Sequence, residues 1–136
     1  MLCDPSAITL HQSAQAMRAR ADTGYRLCIF FEFMRGAQEC GLWALPLITE
    51  EPRSTGDRRF DCLLAAAADL IASTLGEPCP AWAGARERFL PDPWWVSDLS
   101  SGQLFALAHS PNAFRRRRIY IDGRDLTSDG RPWPPY

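Results

Sequence analysis

Apolar positions recur at helical spacing through most of the chain. Ile8, Leu10, Ala14, Met17 and Ala21 mark one face, and Gln12, Gln15, Arg18 and Asp22 the other. Asp4-Pro5 reads as an N-cap followed by proline at the first helical position, which predicts an amphipathic helix from Pro5 to about Ala21. Residues Tyr25 to Cys40 hold Leu27, Cys28, Ile29, Phe30, Phe31, Phe33, Met34 and Ala37, and are apolar most of the way round. The aromatic and β-branched content leaves a strand open over Leu27–Phe33. The length and the following Met-Arg-Gly-Ala-Gln-Glu favour a helix, capped by Asp22 or Thr23, closed by Gly41 and central in the fold.

Leu42 to Ile48, interrupted by Pro46, reads as a helix end or a packed connection. A polar loop from Thr49 to Asp57 follows. The clearest helix comes next. Asp57 or Thr55 caps it, Phe60, Leu63, Leu64, Ala67, Leu70, Ile71 and Leu75 repeat at three and four, and Gly76 ends it. Ala65 to Ala68 favour the helix and let a neighbour approach closely.

After the rigid link Glu77 to Pro80, Ala81 to Leu90 predicts a short helix, which Pro91-Asp92-Pro93 breaks before Trp94 and Trp95. Ser100 or Ser101 is placed to cap a helix through Leu104, Phe105, Leu107 and Ala108, and Ser110-Pro111 to start another with Ala113 and Phe114 inside it. Arg118 to Gly123 alternates and ends in Asp-Gly, so it reads as extended, and Asp125-Leu126 adds one turn. The expected architecture is mainly α: a compact single-domain bundle of five to six helices over residues 1–127, with at most one short extended segment near the C-terminus. Residues 128–136 form a Pro-rich tail.

Composition sets bounds on this picture. The 136 residues are 46% hydrophobic and 23% charged, enough for one domain with its own core. Fifteen basic residues, every one an arginine, face sixteen acidic ones. A chain so balanced does not bind nucleic acid with its whole surface, so any such contact needs a local patch. Arginine also makes planar, two-pronged bonds, which predicts surface Arg–carboxylate forks. The five cysteines include no CxxC pair, and the first residues lack the charged and apolar regions of a signal peptide. No apolar run reaches membrane-spanning length. The expectation is a cytoplasmic protein with reduced thiols, in which Cys28 and Cys62 are small core residues.

Three groups of residues are candidates for chemistry. Arg115, Arg116, Arg117 and Arg118 form the sharpest charge feature, for phosphate or an acidic partner. Four successive helical residues nevertheless fan through about 300° and do not all face one ligand. Trp94 and Trp95 offer an aromatic surface of the kind enriched at binding hot spots. Glu50, Glu51, Asp57 and Asp61 gather acids around the polar loop and a helix start, where they suit acid–base work, Mg²⁺ or simply the helix dipole. His11 and His109 belong to no metal-ligand spacing, and phosphate-loop, dinucleotide and nucleophile-elbow patterns are absent, so neither cofactor nor metal is expected.

Taken in order, Glu50-Glu51-Pro52, Thr55-Gly56-Asp57, Phe60-Asp61, Leu63-Leu64-Ala65, Pro80-Ala81-Trp82, Arg88-Phe89-Leu90, Pro93-Trp94-Trp95, Ser110-Pro111, Ala113 to Arg117 and Ile119-Tyr120-Ile121 form a pattern. It resembles the C-terminal, non-DNA-binding region of actinobacterial helix-turn-helix regulator or antitoxin-like proteins, over about residues 24–126. This chain has no room for the helix-turn-helix before residue 24. The resemblance implies the partner-binding or sensing part standing alone, with Trp94, Trp95, Phe114 and Arg115 to Arg118 closing the fold or forming the partner surface. The first reading is therefore a small regulatory protein that binds a partner protein. The second is an enzyme, or enzyme subunit, with a carboxylate site around Glu50 to Asp61, and the third a nucleic-acid binder through Arg115 to Arg118. A homo-oligomer is compatible with all three.

Overall fold

The computed structural model describes residues 7–127 and Gly130. Among them are five α-helices: α1 (Leu10–Ala19), α2 (Thr23–Cys40), α3 (Arg58–Thr74), α4 (Ser100–His109) and α5 (Asn112–Arg115). Two two-residue strands, β1 (Trp94–Trp95) and β2 (Ile119–Tyr120), and five 3-10 turns complete the fold. The architecture is mainly helical, as expected. The Pro-rich tail, Gly130 excepted, and the Asp4-Pro5 cap lie outside the described residues.

Helix α1 begins later than the spacing predicts, because Thr9 and not Asp4 is its cap. The Thr9 hydroxyl accepts from the Gln12 amide at 3.1 Å, and the Gln12 side chain accepts from the Thr9 amide at 2.9 Å. These reciprocal bonds satisfy two donors that the helix start leaves free. Helix α2 is continuous through Leu27–Phe33, so the strand alternative is gone. Asp22 caps it, and Gly41 turns the chain out at φ 55°, a conformation that suits glycine.

Helix α3 is the axis of the core. Phe60, Leu63, Leu64, Ile71 and Ala65 to Ala68 are fully buried or nearly so. Phe30, Phe33 and Met34 of α2, Leu10 and Met17 of α1, and Phe114 of α5 belong to the same core. The methyl side chains of the alanine run are short enough for neighbours to sit close against α3.

The C-terminal third differs from expectation in three places. Ala81 to Leu90 is two 3-10 turns, Ala81–Gly84 and Arg86–Arg88, instead of an α-helix. Helix α4 starts at Ser100 after Leu99, whose side chain makes no cap bond. Ser110 does not cap α5. Its hydroxyl lies 2.6 Å from Ala106 O and 2.9 Å from Ile121 O, sharing its one proton between them, and accepts from the Ile121 amide at 3.0 Å, clasping the end of α4 to the segment after β2. The extended segment at Ile119–Tyr120 is present and pairs in parallel with Trp94–Trp95, Trp94 opposite Ile119 and Trp95 opposite Tyr120. Arg118, at φ 62°, makes the left-handed turn from α5 into β2.

The cysteines split. Cys62 is buried and free, Cys79 is half-buried and free, and Cys28 is exposed instead of buried in the core. Cys40 carries a disulfide, against the expectation of wholly reduced thiols.

Candidate functional site

The arginine run does not make one surface. Arg117 is fully buried: its Nη1 lies 2.7 Å from Asp69 Oδ2 and donates to Ala113 O, while its Nη2 donates to Ala83 O at 2.8 Å. Its guanidinium lies 4.6 Å from the centre of the Phe89 ring. Arg116 reaches the same Asp69 oxygen from the solvent side at 2.8 Å. Arg115 turns to the Leu107 carbonyl at the end of α4, and Arg118 to the Pro91 carbonyl. Each of the four thus has an acceptor within the chain, and Arg116 and Arg117 share theirs. Phe114 is likewise fully buried, with its ring edge-on to Phe30 at 6.2 Å. As a partner surface, Phe114 and Arg117 are ruled out by burial, and the run as a whole by its fan of directions.

Two more arginines do similar work where sequence reasoning looked only for surface forks. Arg26 is buried on α2, and its Nε donates to Met17 O and Arg20 O, adding a donor at the end of α1, where the Arg20 amide also bonds Met17 O. Its Nη2 donates to Thr55 O, fixing the polar loop. Arg88 is buried beneath that loop, and donates to Asp61 O at 3.1 Å and Pro52 O at 3.2 Å. The missed partner of the run, Asp69, carried a signal of its own. A single carboxylate inside an apolar helical run has to find a cation or stay out of the core.

Trp94 and Trp95 are half-buried rather than free. Trp94 sits edge-on to Phe60 at 5.3 Å with the Arg59 guanidinium 5.1 Å from its ring centre, and Trp95 stacks on Tyr120 at 4.4 Å. Both rings spend much of their surface on their own chain.

The acidic candidates do come together in part. Glu51, Asp61 and Glu87 line a cleft of about 630 Å³ with Arg53, Arg58, Arg88, Pro52 and Ser54. Asp61 is occupied there: it accepts from the Ser54 hydroxyl at 2.7 Å, the Thr55 amide at 2.7 Å and the Thr55 hydroxyl at 2.8 Å. Asp57 caps α3 through the Arg59 amide and also binds the Arg59 side chain. Burial pushes the Asp57 carboxyl up, but the bonds from Arg59 and the charges of Arg59 and Arg26 outweigh it and hold it below its ordinary value. Glu50 lies outside the cleft, 4.0 Å from His11 Nδ1. These acids organise the loop and the helix start. Among the described residues no group of three metal-ligating side chains comes together.

The least expected feature is α4. Of its ten residues only Ala106 is buried. Leu104 is 70% exposed, Leu107 53% and Phe105 49%, and Leu99 just before the helix is 70% exposed. At 100° per residue Leu104 and Ala108 fall on the side opposite Ala106, with Leu107 and Phe105 at its two edges. The outward face of this helix is therefore apolar, an inversion of the usual surface pattern. Arg124 lies over Phe105, 4.6 Å from the ring centre, and shields one border of the face.

No protein-family model, no curated protein and no solved structure matches this chain. No helix among the described residues is long and apolar enough to cross a membrane.

Proposed function

We propose that the chain is a small regulatory, antitoxin-like protein that acts by binding a partner protein, and that α4 is the surface it uses. The observation that carries this reading is the apolar outward face of Leu104 and Leu107, flanked by Leu99 and Phe105. Elsewhere the fold finds internal acceptors for its buried arginines. Here it leaves leucines in water, as interaction sites do. Nucleic-acid binding through Arg115 to Arg118 loses its support, because the four guanidinium groups already engage acceptors of this chain, Arg116 and Arg117 the same Asp69 oxygen, Arg115 the Leu107 carbonyl and Arg118 the Pro91 carbonyl. A carboxylate enzyme site loses its support because Asp61, the acid best placed in the cleft, already accepts three hydrogen bonds. The cytoplasm is the compartment that goes with this reading. Free Cys28, Cys62 and Cys79 favour it, and the disulfide at Cys40 counts against it.

The test is affinity capture from the native host with the tagged full chain, beside a Leu104→Glu/Leu107→Glu variant. The expected result is a stoichiometric protein, a second copy of the chain included, held by the first and lost by the second. Capture that is indifferent to the variant, or no capture, overturns the reading.

A further inference from the structure

Resting on the reading that α4 is the interaction face, we propose that its occupant is a second copy of this chain, with the two α4 helices packed antiparallel about a twofold axis. Helix α4 contains no Asp, Glu, Lys or Arg. Laid against itself it brings no like charges of its own together, and the Arg124 guanidinium at its border is already paired with Asp122. The charges stand at its ends and are opposite. Asp98, exposed, precedes the first turn. Arg115, exposed, holds the Leu107 carbonyl near the last turn with a bond of 2.8 Å. An antiparallel pair sets Asp98 of each copy toward Arg115 of the other and also opposes the helix dipoles, whereas a parallel pair sets acid against acid.

The shape agrees with this packing. Ser100, Ser101 and Ala108 flank Leu104 and Leu107 and are small, so the two axes can close to about 8–10 Å. A ten-residue helix is ~15 Å long, so the two helices overlap end to end and the charged residues meet. Leu99, Leu104, Phe105 and Leu107 together expose on the order of 400 Å² of apolar surface, the size of the largest patch on an ordinary monomer. Twice that area, about 800 Å², lies below the usual size of a stable specific interface and in the range of weak, transient contacts, so the dimer is weak and reversible.

Sedimentation equilibrium of the purified full chain tests the proposal, in a Cys28→Ser background that removes the exposed thiol. Between about 1 and 200 µM, a range suited to a small interface, the mass should rise from 15.3 kDa toward twice that value. Leu104→Glu/Leu107→Glu should stay monomeric with an unchanged unfolding midpoint, and Leu104→Ser/Leu107→Ser should repeat the result with a milder change. Asp98→Arg alone and Arg115→Glu alone should each weaken association about five-fold, and the double charge swap should restore it. A monomer throughout the range, or a dimer indifferent to the leucine variants, overturns the proposal. If the chain stays monomeric yet captures a host protein through Leu104 and Leu107, self-association falls and the interaction reading stands. If it does neither, both fall.

Discussion

Helices α3 and α4 are built from much the same residues and meet opposite surroundings. Each is rich in alanine and leucine and carries one phenylalanine. Helix α3 buries residues all round, including the carboxylate of Asp69, and every neighbouring element packs toward it. Helix α4 buries Ala106 alone and turns its leucines outward. Composition therefore does not decide which helix becomes core. What decides is whether the rest of the chain supplies a covering layer, and for α4 it does not. An uncovered apolar face is the feature on which the proposed interaction role of α4 rests, although Leu42, Trp43 and Leu45 are exposed elsewhere.

The comparison breaks most visibly at Asp69. Removing it strands Arg117, a fully buried guanidinium, so Asp69→Ala should cost about 3–5 kcal/mol of stability, a large share of what a domain of this size has. Urea unfolding followed by circular dichroism reads this directly. Replacing both partners, Asp69→Leu with Arg117→Met, should recover much of the loss, because the desolvation cost of the pair goes with the pair. If the double replacement is no better than the single, the charge pair itself contributes more than its burial costs. Arg116→Ala should be mild, since that side chain is half exposed and the inner bond remains.

A matched pair of leucines sharpens the contrast. Leu64→Ala on α3 empties a fully buried site and should cost about 2–5 kcal/mol. Leu104→Ala on α4 removes a side chain that is 70% exposed and should stay within about 0.5 kcal/mol. Equal costs in a chemical denaturation series would mean that α4 is covered in solution even in the monomer.

The start of α3 gives a smaller effect with a pH signature. Asp57→Ala removes the cap bond to the Arg59 amide and should cost about 1 kcal/mol. The folded carboxyl titrates below its ordinary value of 3.8, so its contribution is fully present above that pH. It is lost as the pH falls through 3.8 toward the lower folded value. Asp122, held low first by the side-chain bonds of Arg124, adds to the same acid slope. Stability measured from pH 5 down to pH 2 should therefore fall less steeply in Asp57→Asn than in the parent chain.

Much of the fold was legible from spacing alone. The three-and-four repeat from Phe60 to Leu75 gave α3 its place; the apolar circumference of Tyr25 to Cys40 gave a helix, but α2 buries one side and leaves Cys28, Glu32 and Arg35 exposed, and α3 is the central helix. Helical geometry predicts the divergence of the arginine run, but it arises otherwise: α5 ends at Arg115, and Arg116 to Arg118 form the turn into β2, with Arg118 at φ 62°. What stayed hidden depended on distant neighbours. Trp94–Trp95 pairs with Ile119–Tyr120 across two intervening helices, and two residues are too few to show a strand period. Thr9 caps α1 through a reciprocal bond with Gln12, a pairing that the Asp4-Pro5 signal did not reveal. The buried roles of Arg26 and Arg88 depend on which carbonyls the loop and the helix ends leave free. The outward face of α4 was invisible for the same reason: an apolar pattern says that burial is wanted and does not say which molecule provides it.

The last test separates folding from association on one helix. Leu104→Ser/Leu107→Ser should leave the unfolding midpoint of the dilute chain nearly unchanged, because both side chains already stand mostly in water. At high concentration the parent chain should gain stability with concentration and the variant should not, since a partner that binds only the folded state adds stability by mass action. Differential scanning calorimetry at two concentrations a hundred-fold apart reads both effects in one experiment. A concentration-dependent midpoint in the parent that vanishes in the variant assigns the exposed face of α4 to association. A midpoint independent of concentration in both leaves that face without a second copy, and the capture experiment then decides whether another protein covers it.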